Sequence, residues 1–100
     1  MGGAEVLRER ARMFLEAAKD DLRAERVDLA AFHAEQASQP TLKYVLALQA
    51  GYHPHTHSLR RLFEEVRAVR LDLWQLYERY MLVFEVMEDA YLGGRYLPRR

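Results

Sequence analysis

Three short polar stretches interrupt an otherwise leucine-rich sequence and carry the side chains best suited to chemistry. They span residues 32–37, 56–59 and 91–96. Imidazole titrates near neutral pH and can serve as a base, a ligand or a hydrogen-bonding group, while guanidinium binds phosphate through paired N–H donors. The candidate ligand-binding residues in these stretches are His33, Gln36, His57, Arg95 and Tyr96.

Each of these side chains also has a structural interpretation, which the sequence alone leaves open. His33 follows an aromatic residue and could be a partly buried histidine with an internal hydrogen bond. His57 could order the start of a helix beside Thr56 and Ser58, whose hydroxyls can accept hydrogen bonds from the first amides of that helix. Arg95 stands between two tyrosines, so it could hold an anion or clamp the C-terminal tail to the rest of the domain.

The sequence predicts no metal, no cofactor and no catalytic residue. His53, His55 and His57 alternate, and on a strand this spacing would place three imidazoles on one face. They fall instead in a loop interrupted by Pro54, with no acidic or cysteine partner nearby in the sequence. The chain also has no glycine-rich phosphate loop, no histidine–glutamate zinc motif and no serine or cysteine nucleophile elbow.

Length and composition predict one folded domain over residues 1–100. Half of the residues are hydrophobic and 30% are charged, which is typical of globular proteins rather than of disordered ones. The 15 basic and 15 acidic residues cancel, which argues against a dedicated nucleic-acid binder. The sequence has no cysteine, no long apolar run and no signal-peptide pattern, so we expect a cytoplasmic protein without disulfides or membrane spans.

The spacing of apolar residues predicts two long helices in the first half of the chain. The first covers roughly twenty residues, because apolar side chains recur at intervals of three and four over residues 7–22. The second runs from Asp28 to about Ala50 and is apolar on several sides, which indicates a central helix. Pro40 should kink this helix; the alternative is a break, with Ser38 capping a new helix that has the proline in its first turn.

The second half predicts two further helices after a loop over residues 51–58, which contains glycine and proline. The third helix runs from about Ser58 to Arg70, and the fourth begins near Asp72, where Asp72 and Gln75 have the spacing of a capping box. Apolar residues then continue at helical spacing to Tyr91, before a Gly-Gly stop. Four helices joined by short loops predict an all-α, up-and-down four-helix bundle.

The ordered set of motifs resembles the HEPN family, helical domains named for their occurrence in higher eukaryotes and prokaryotes. The resemblance covers nearly the whole chain. It rests on phenylalanine-histidine-alanine-x-glutamine-alanine at residues 32–37, threonine-histidine-x-leucine at 56–59 and tyrosine-x-x-x-arginine-tyrosine at 91–96. It implies an HEPN-like bundle, commonly dimeric, that binds nucleotides or nucleic acid and is often encoded beside a minimal nucleotidyltransferase as a toxin and antitoxin pair. The implied ligand contacts are His33, Gln36, His57, Arg95 and Tyr96.

The chain departs from the family pattern where ribonuclease activity is concerned. Ribonuclease members have an arginine followed after four to six residues by a histidine on a late helix, but no arginine from Arg60 onward has a histidine after it. Arg26 and His33 do have this spacing. Because they straddle the junction of the first two helices, we interpret that match as coincidence. Pro40 is a second departure, since the family usually has a helix-favouring residue there.

The family also usually continues into a further C-terminal helix that this sequence lacks. Its absence would leave apolar surface uncovered on the bundle, and burying such surface favours self-association. We therefore expect a homodimer that pairs through the second and fourth helices.

Three functions follow as hypotheses. The first is a non-catalytic module that binds a nucleotide or another phosphate-bearing ligand, partnered by a nucleotidyltransferase, with Arg95 as the anion contact. The second is an RNA-cleaving toxin in which a histidine acts as general base. The third is a structural dimerising protein whose polar stretches form caps and internal hydrogen bonds.

Overall fold

The computed structural model describes the backbone of residues 3–96 and the side chains of residues 3–89. The described chain forms five helices: α1 (Gly3–Arg23), α2 (Val27–Ala50), α3 (Leu59–Val66), α4 (Leu71–Arg79) and α5 (Met81–Tyr96). No strand occurs within the described backbone, and the predicted all-α fold is confirmed. No helix in this part of the chain is long and apolar enough to cross a membrane.

The second helix is central, as its apolar pattern predicts. α2 packs against α1, α3 and α5. It ends at Gly51, whose φ of +81° is the left-handed conformation that glycine adopts without steric cost. Pro40 is buried inside α2, and the helix continues through it, so the alternative of a break into two helices does not occur.

The predicted fourth helix consists of two helices, α4 and α5, which meet at Tyr80. The backbone of Tyr80, with φ −118° and ψ 30°, lies outside the helical range. Tyr77 and Phe84 flank this bend, and their ring centroids lie 4.7 and 4.8 Å from that of Phe63. Residues seven apart in a straight helix are separated by about 10 Å along its axis, so the bend allows both rings to pack on one phenylalanine.

The capping box predicted at the start of the fourth helix is wrong. α4 begins at Leu71, and its N-cap residue Arg70 makes no side-chain cap. Asp72 instead accepts two hydrogen bonds from the guanidinium of Arg70, at 2.9 and 2.7 Å. Both oxygens of the carboxylate that the sequence pattern predicts as a helix cap are therefore occupied by this bidentate ion pair.

The apolar core lies where α2, α3, α4 and the start of α5 meet. Leu59, at the first position of α3, has no exposed surface. The loop that precedes α3 is therefore anchored directly at the core, and this fixes the position of His57. The buried members of the core cluster are Leu42, Leu46, Leu59, Leu62, Phe63, Val66 and Tyr77.

Candidate functional site

A cavity of about 400 Å³ opens between α1 and α2, beside the loop that precedes α3. Its size is that of pockets that hold small molecules. It brings together Gln36 and His57, two of the predicted ligand-binding residues, from different elements of the fold. The side chains that line it are Leu7, Arg10, Phe14, Phe32, Gln36, Gln39, Pro40, Lys43 and His57.

His33 supports the aromatic wall of this cavity and is absent from its lining. The His33 ring is stacked on Phe14, with centroids 6.2 Å apart, and meets Phe32 edge-on at 5.3 Å. Both phenylalanines line the cavity. His33 therefore contacts both aromatic rings of the cavity lining.

A buried carboxylate, Asp21, holds His33 in place. Its Oδ2 atom lies 2.5 Å from His33 Nδ1, and its Oδ1 atom accepts a hydrogen bond from Arg26 Nε at 3.1 Å and forms an ion pair with Arg26 Nη2 at 3.1 Å. The hydrogen bond from His33 lowers the pKa of Asp21 below its usual 3.8 and outweighs the opposing effect of burial. Because the carboxylate accepts, His33 Nδ1 carries a proton. Arg26 and His33, whose sequence spacing we interpreted as coincidence, thus meet at one side chain.

A second buried carboxyl, Glu35, lies behind the amide side chains of the cavity. Glu35 has no exposed surface. It accepts hydrogen bonds from Gln36 Nε2 at 3.0 Å and from Gln39 Nε2 at 3.0 and 2.8 Å. Burial raises the pKa of Glu35 to about 7, against the lowering effect of these two amides, and the charge of Glu88 raises it further. Glu35 can therefore gain or lose its proton near neutral pH.

Gln39 connects this carboxyl to His57. Since Gln39 Nε2 donates to Glu35, its Oε1 atom is the acceptor for His57 Nδ1 at 3.1 Å. The Nδ1 atom of His57 therefore carries a proton. The chain of contacts orients Gln36, Gln39 and His57 on the side of the cavity that α2 and the loop provide.

The start of α3 holds the loop that carries His57. Ser58 Oγ accepts a hydrogen bond from the Arg61 amide at 3.2 Å, which confirms the predicted hydroxyl cap. Glu88 of α5 accepts from the Leu59 amide at 3.1 Å, a contact that the sequence did not reveal. Two of the amides that a helix leaves unpaired at its start are thus satisfied from two different elements.

Two cations, Arg10 and Lys43, also face the cavity, and the sequence analysis missed both. Burial lowers the pKa of Lys43, and the charge of Arg10 lowers it further. Among the described residues no carboxylate pairs with either side chain. Their presence gives the polar side of the cavity a positive charge.

The remaining candidate residues from the sequence are Arg95 and Tyr96 near the end of the chain and the loop histidines His53 and His55. Arg95 and Tyr96 belong to the end of α5, and their side chains lie outside the described residues. The rings of His53 and His55 pack edge-on in the loop, with centroids 5.9 Å apart. The described side chains contain no group of three or more residues that could hold a metal ion.

Comparisons with known proteins bear on this arrangement. A family model described as HEPN domain matches residues 4–100. That range includes all three polar stretches and every side chain that lines the cavity. No curated protein and no solved structure matches the chain.

Proposed function

Because the chain belongs to the HEPN domain family, we propose that it is a cytoplasmic, non-catalytic module that binds a nucleotide or another phosphate-bearing ligand. The cavity between α1 and α2 is the proposed site. Gln36 and His57 are its proposed polar contacts, and His33 orients its aromatic wall. Arg95 and Tyr96 are proposed to contribute to ligand binding from the end of α5.

One observation carries this proposal: side chains from two separate family motifs, Gln36 and His57, meet at one cavity. A nucleotide combines a flat, largely apolar ring with an anionic group. The cavity offers Phe14 and Phe32 for the first, and amide, imidazole and cationic groups for the second. The small size of the cavity favours a single small molecule as the ligand.

A thermal-shift screen against nucleoside mono-, di- and triphosphates tests the proposal. A ligand at a hundred times its dissociation constant stabilises the native state by about 2.7 kcal/mol, or about ten degrees or more in a domain of this size. We expect the shift to shrink in Gln36→Ala and in Arg95→Ala, and to persist in His55→Ala, which alters an exposed loop histidine. If no nucleotide shifts the wild-type protein, the structural dimerising function replaces this one.

We propose a minimal nucleotidyltransferase as a partner protein, in a toxin–antitoxin-like context. Membership of the HEPN family supports this partner. Co-expression with a nucleotidyltransferase encoded beside this chain, followed by gel filtration, provides the test. Co-elution of the two proteins is the expected result, and separate elution at micromolar concentration contradicts the partnership.

We also propose that the protein forms a homodimer. Apolar side chains of α5 are exposed without a partner among the described residues, and burying them in a second copy is favourable. The most exposed of them are Leu82, Val83 and Val86.

One observation favours RNA cleavage as a second candidate function. Arg26 and His33 converge on Asp21, and a histidine held at Nδ1 by a carboxylate presents its other nitrogen as a general base. Incubation of labelled RNA with nuclease-free protein tests this function, and His33→Ala should abolish cleavage. An inert wild-type preparation rules it out and leaves Asp21 with its role in joining the two helices.

A further inference from the structure

Arg10 and Lys43 face one cavity from two helices, and neither belongs to the three polar stretches that carry the family motifs. We infer that these two residues are the phosphate contacts of the cavity, and that its ligand is a nucleotide with at least two negative charges on its phosphate groups. This inference rests on the proposed function and deepens it. It moves the main anion contact from the end of α5 to the cavity between α1 and α2.

Arg10 differs from every other basic residue of α1. Each of the others pairs with an acidic residue three positions earlier: Arg8 with Glu5, Arg12 with Glu9, Lys19 with Glu16 and Arg23 with Asp20. The position three residues before Arg10 is Leu7. Leu7, Arg10 and Phe14 share one helix face because they are spaced by three and four, and all three line the cavity. Arg10 therefore lies on the side of α1 that borders the cavity, whereas the paired cations lie on the side that faces solvent.

Lys43 has a matching position on α2. No acidic residue lies three or four positions from it in either direction, so the helix itself offers no ion pair. The side chain is partly buried, and burial together with the charge of Arg10 disfavours its charged form. Arg10 is itself exposed, but its charge still acts unfavourably on the partly buried ammonium of Lys43, and a bound anion would offset that repulsion.

The chemistry of the lining restricts the ligand that can do this. A guanidinium can bind two phosphate oxygens at once, while an ammonium contributes a compact point charge beside it. Phe14 and Phe32 line the same cavity and provide apolar surface for an aromatic base. A phosphorylated small molecule with a flat ring satisfies both parts of the lining, whereas inorganic phosphate would use the cations alone.

Calorimetric titration with inorganic pyrophosphate and with a nucleoside diphosphate tests the inference. The variants are Arg10→Gln and Lys43→Gln, and the matched controls are Arg8→Gln and Lys19→Gln, which alter exposed, paired cations of α1. Each cavity variant should bind both probes about tenfold to a hundredfold more weakly, since each loses a charge-assisted hydrogen bond. The controls should retain wild-type affinity. Each cavity variant should melt no lower than wild type, because it loses one of two like charges.

The outcomes separate this inference from the function on which it rests. Nucleotide binding that survives both cavity substitutions overturns the inference and leaves the proposed function standing. Pyrophosphate binding that depends on both cations, without tighter binding of the nucleoside diphosphate, supports the phosphate contacts and overturns the nucleotide ligand. Binding of neither probe to wild type overturns both. A direct readout accompanies the expected loss of binding in the cavity variants: in the wild-type protein, pyrophosphate should raise the pKa of Lys43, which NMR titration of its side chain measures.

Discussion

The Oδ2 atom of Asp21 lies 2.5 Å from the Nδ1 atom of His33, and this contact joins the last turn of α1 to the second turn of α2. The second carboxylate oxygen accepts from Arg26, next to the first residue of α2. One buried side chain thus links the two helices where α1 ends and α2 begins. Their facing sides form most of the candidate cavity, so the geometry of the site depends on this contact.

The first prediction concerns Asp21→Asn, which removes the negative charge that His33 and Arg26 share. The pKa of Asp21 is lower in the folded protein than its usual 3.8, mainly because of the hydrogen bond from His33. A carboxyl with a depressed pKa stabilises the fold at pH values above its usual pKa and loses that effect as the pH falls through its folded pKa. The variant should therefore melt several degrees below wild type at pH 7, and the difference should begin to narrow as the pH falls below 3.8.

Asp20→Asn provides the control for this experiment. Asp20 is the neighbouring acidic residue, but it is exposed and pairs with Arg23 on the surface of α1. Exposed ion pairs contribute little to stability. Equal melting temperatures of Asp20→Asn and Asp21→Asn across this pH range would contradict the structural role of the buried carboxylate.

The second prediction concerns the pH dependence that Glu35 confers on stability. Burial raises the pKa of Glu35 to about 7 from its ordinary 4.5. The folded state therefore binds a proton that the unfolded state has already released between these values, so wild-type stability should fall from about pH 4.5 to pH 7 and level off above. Glu35→Gln removes this titration. At pH 8 the variant should be more stable than wild type by up to about 3 kcal/mol, and at pH 5 the difference should fall below about 1 kcal/mol.

Urea denaturation of both proteins at pH 5 and pH 8 measures this difference. The comparison isolates Glu35 because every other titratable group of the chain is present in both proteins. Glu85→Gln, at an exposed position of α5, controls for the loss of one negative charge and should follow the wild-type pH profile. A wild-type stability that rises between pH 5 and pH 8 relative to Glu35→Gln would contradict the buried, proton-binding carboxyl.

Much of the fold could be predicted from the sequence, because its signals are local. The apolar spacing located α1 and α2, Gly51 marked the end of α2, and Ser58 marked the start of α3. The division between α4 and α5 could not be predicted, since the apolar face continues through Tyr80 and no glycine or proline marks the bend. At the bend Tyr77 and Phe84 both pack on one ring of α3, and this tertiary contact cannot be seen in the local sequence.

The candidate site could likewise be predicted only in part from local sequence signals. Motif spacing singled out Gln36 and His57, which line the cavity, and His33, which supports it. It did not reveal Arg10 or Lys43, because their meeting depends on how α1 packs against α2. One signal was present: Arg10 lacks the acidic residue three positions earlier that accompanies each other cation of α1. A break in a regular charge pattern can therefore indicate a cation that lines a cavity instead of pairing along its own helix.

The third prediction concerns the cap at the start of α3, which fixes the loop that carries His57. Ser58→Ala removes the acceptor of the Arg61 amide and should lower the free energy of unfolding by about 1 kcal/mol. Ser38→Ala is the matched control, because the Ser38 hydroxyl only donates to a carbonyl within α2. Its effect should be near zero or slightly stabilising, since alanine favours helices more than serine does. Urea denaturation of the two variants provides the measurement, and equal losses would contradict the cap.

The fourth prediction concerns the homodimer and the part of α5 that forms its interface. Leu82 is 76% exposed and Val86 is 62% exposed, and their spacing of four places them on one side of the helix. Burying such a side chain is worth about 1.5–3 kcal/mol, and a symmetric interface contains each one twice. Leu82→Glu would place a charge in that interface twice, so it should weaken the dimer by about a hundredfold or more.

Light scattering of the eluted protein at micromolar concentration measures this change in mass. Wild type should elute as a dimer and Leu82→Glu as a monomer with unchanged helical circular dichroism, because Leu82 contributes nothing to the buried core. Met13→Glu introduces the same charge at an exposed apolar position of α1 and should leave the dimer intact. A monomeric wild type contradicts the dimer itself. A dimer that Met13→Glu disrupts and Leu82→Glu does not would instead place the interface on α1, over the helix that forms one wall of the cavity.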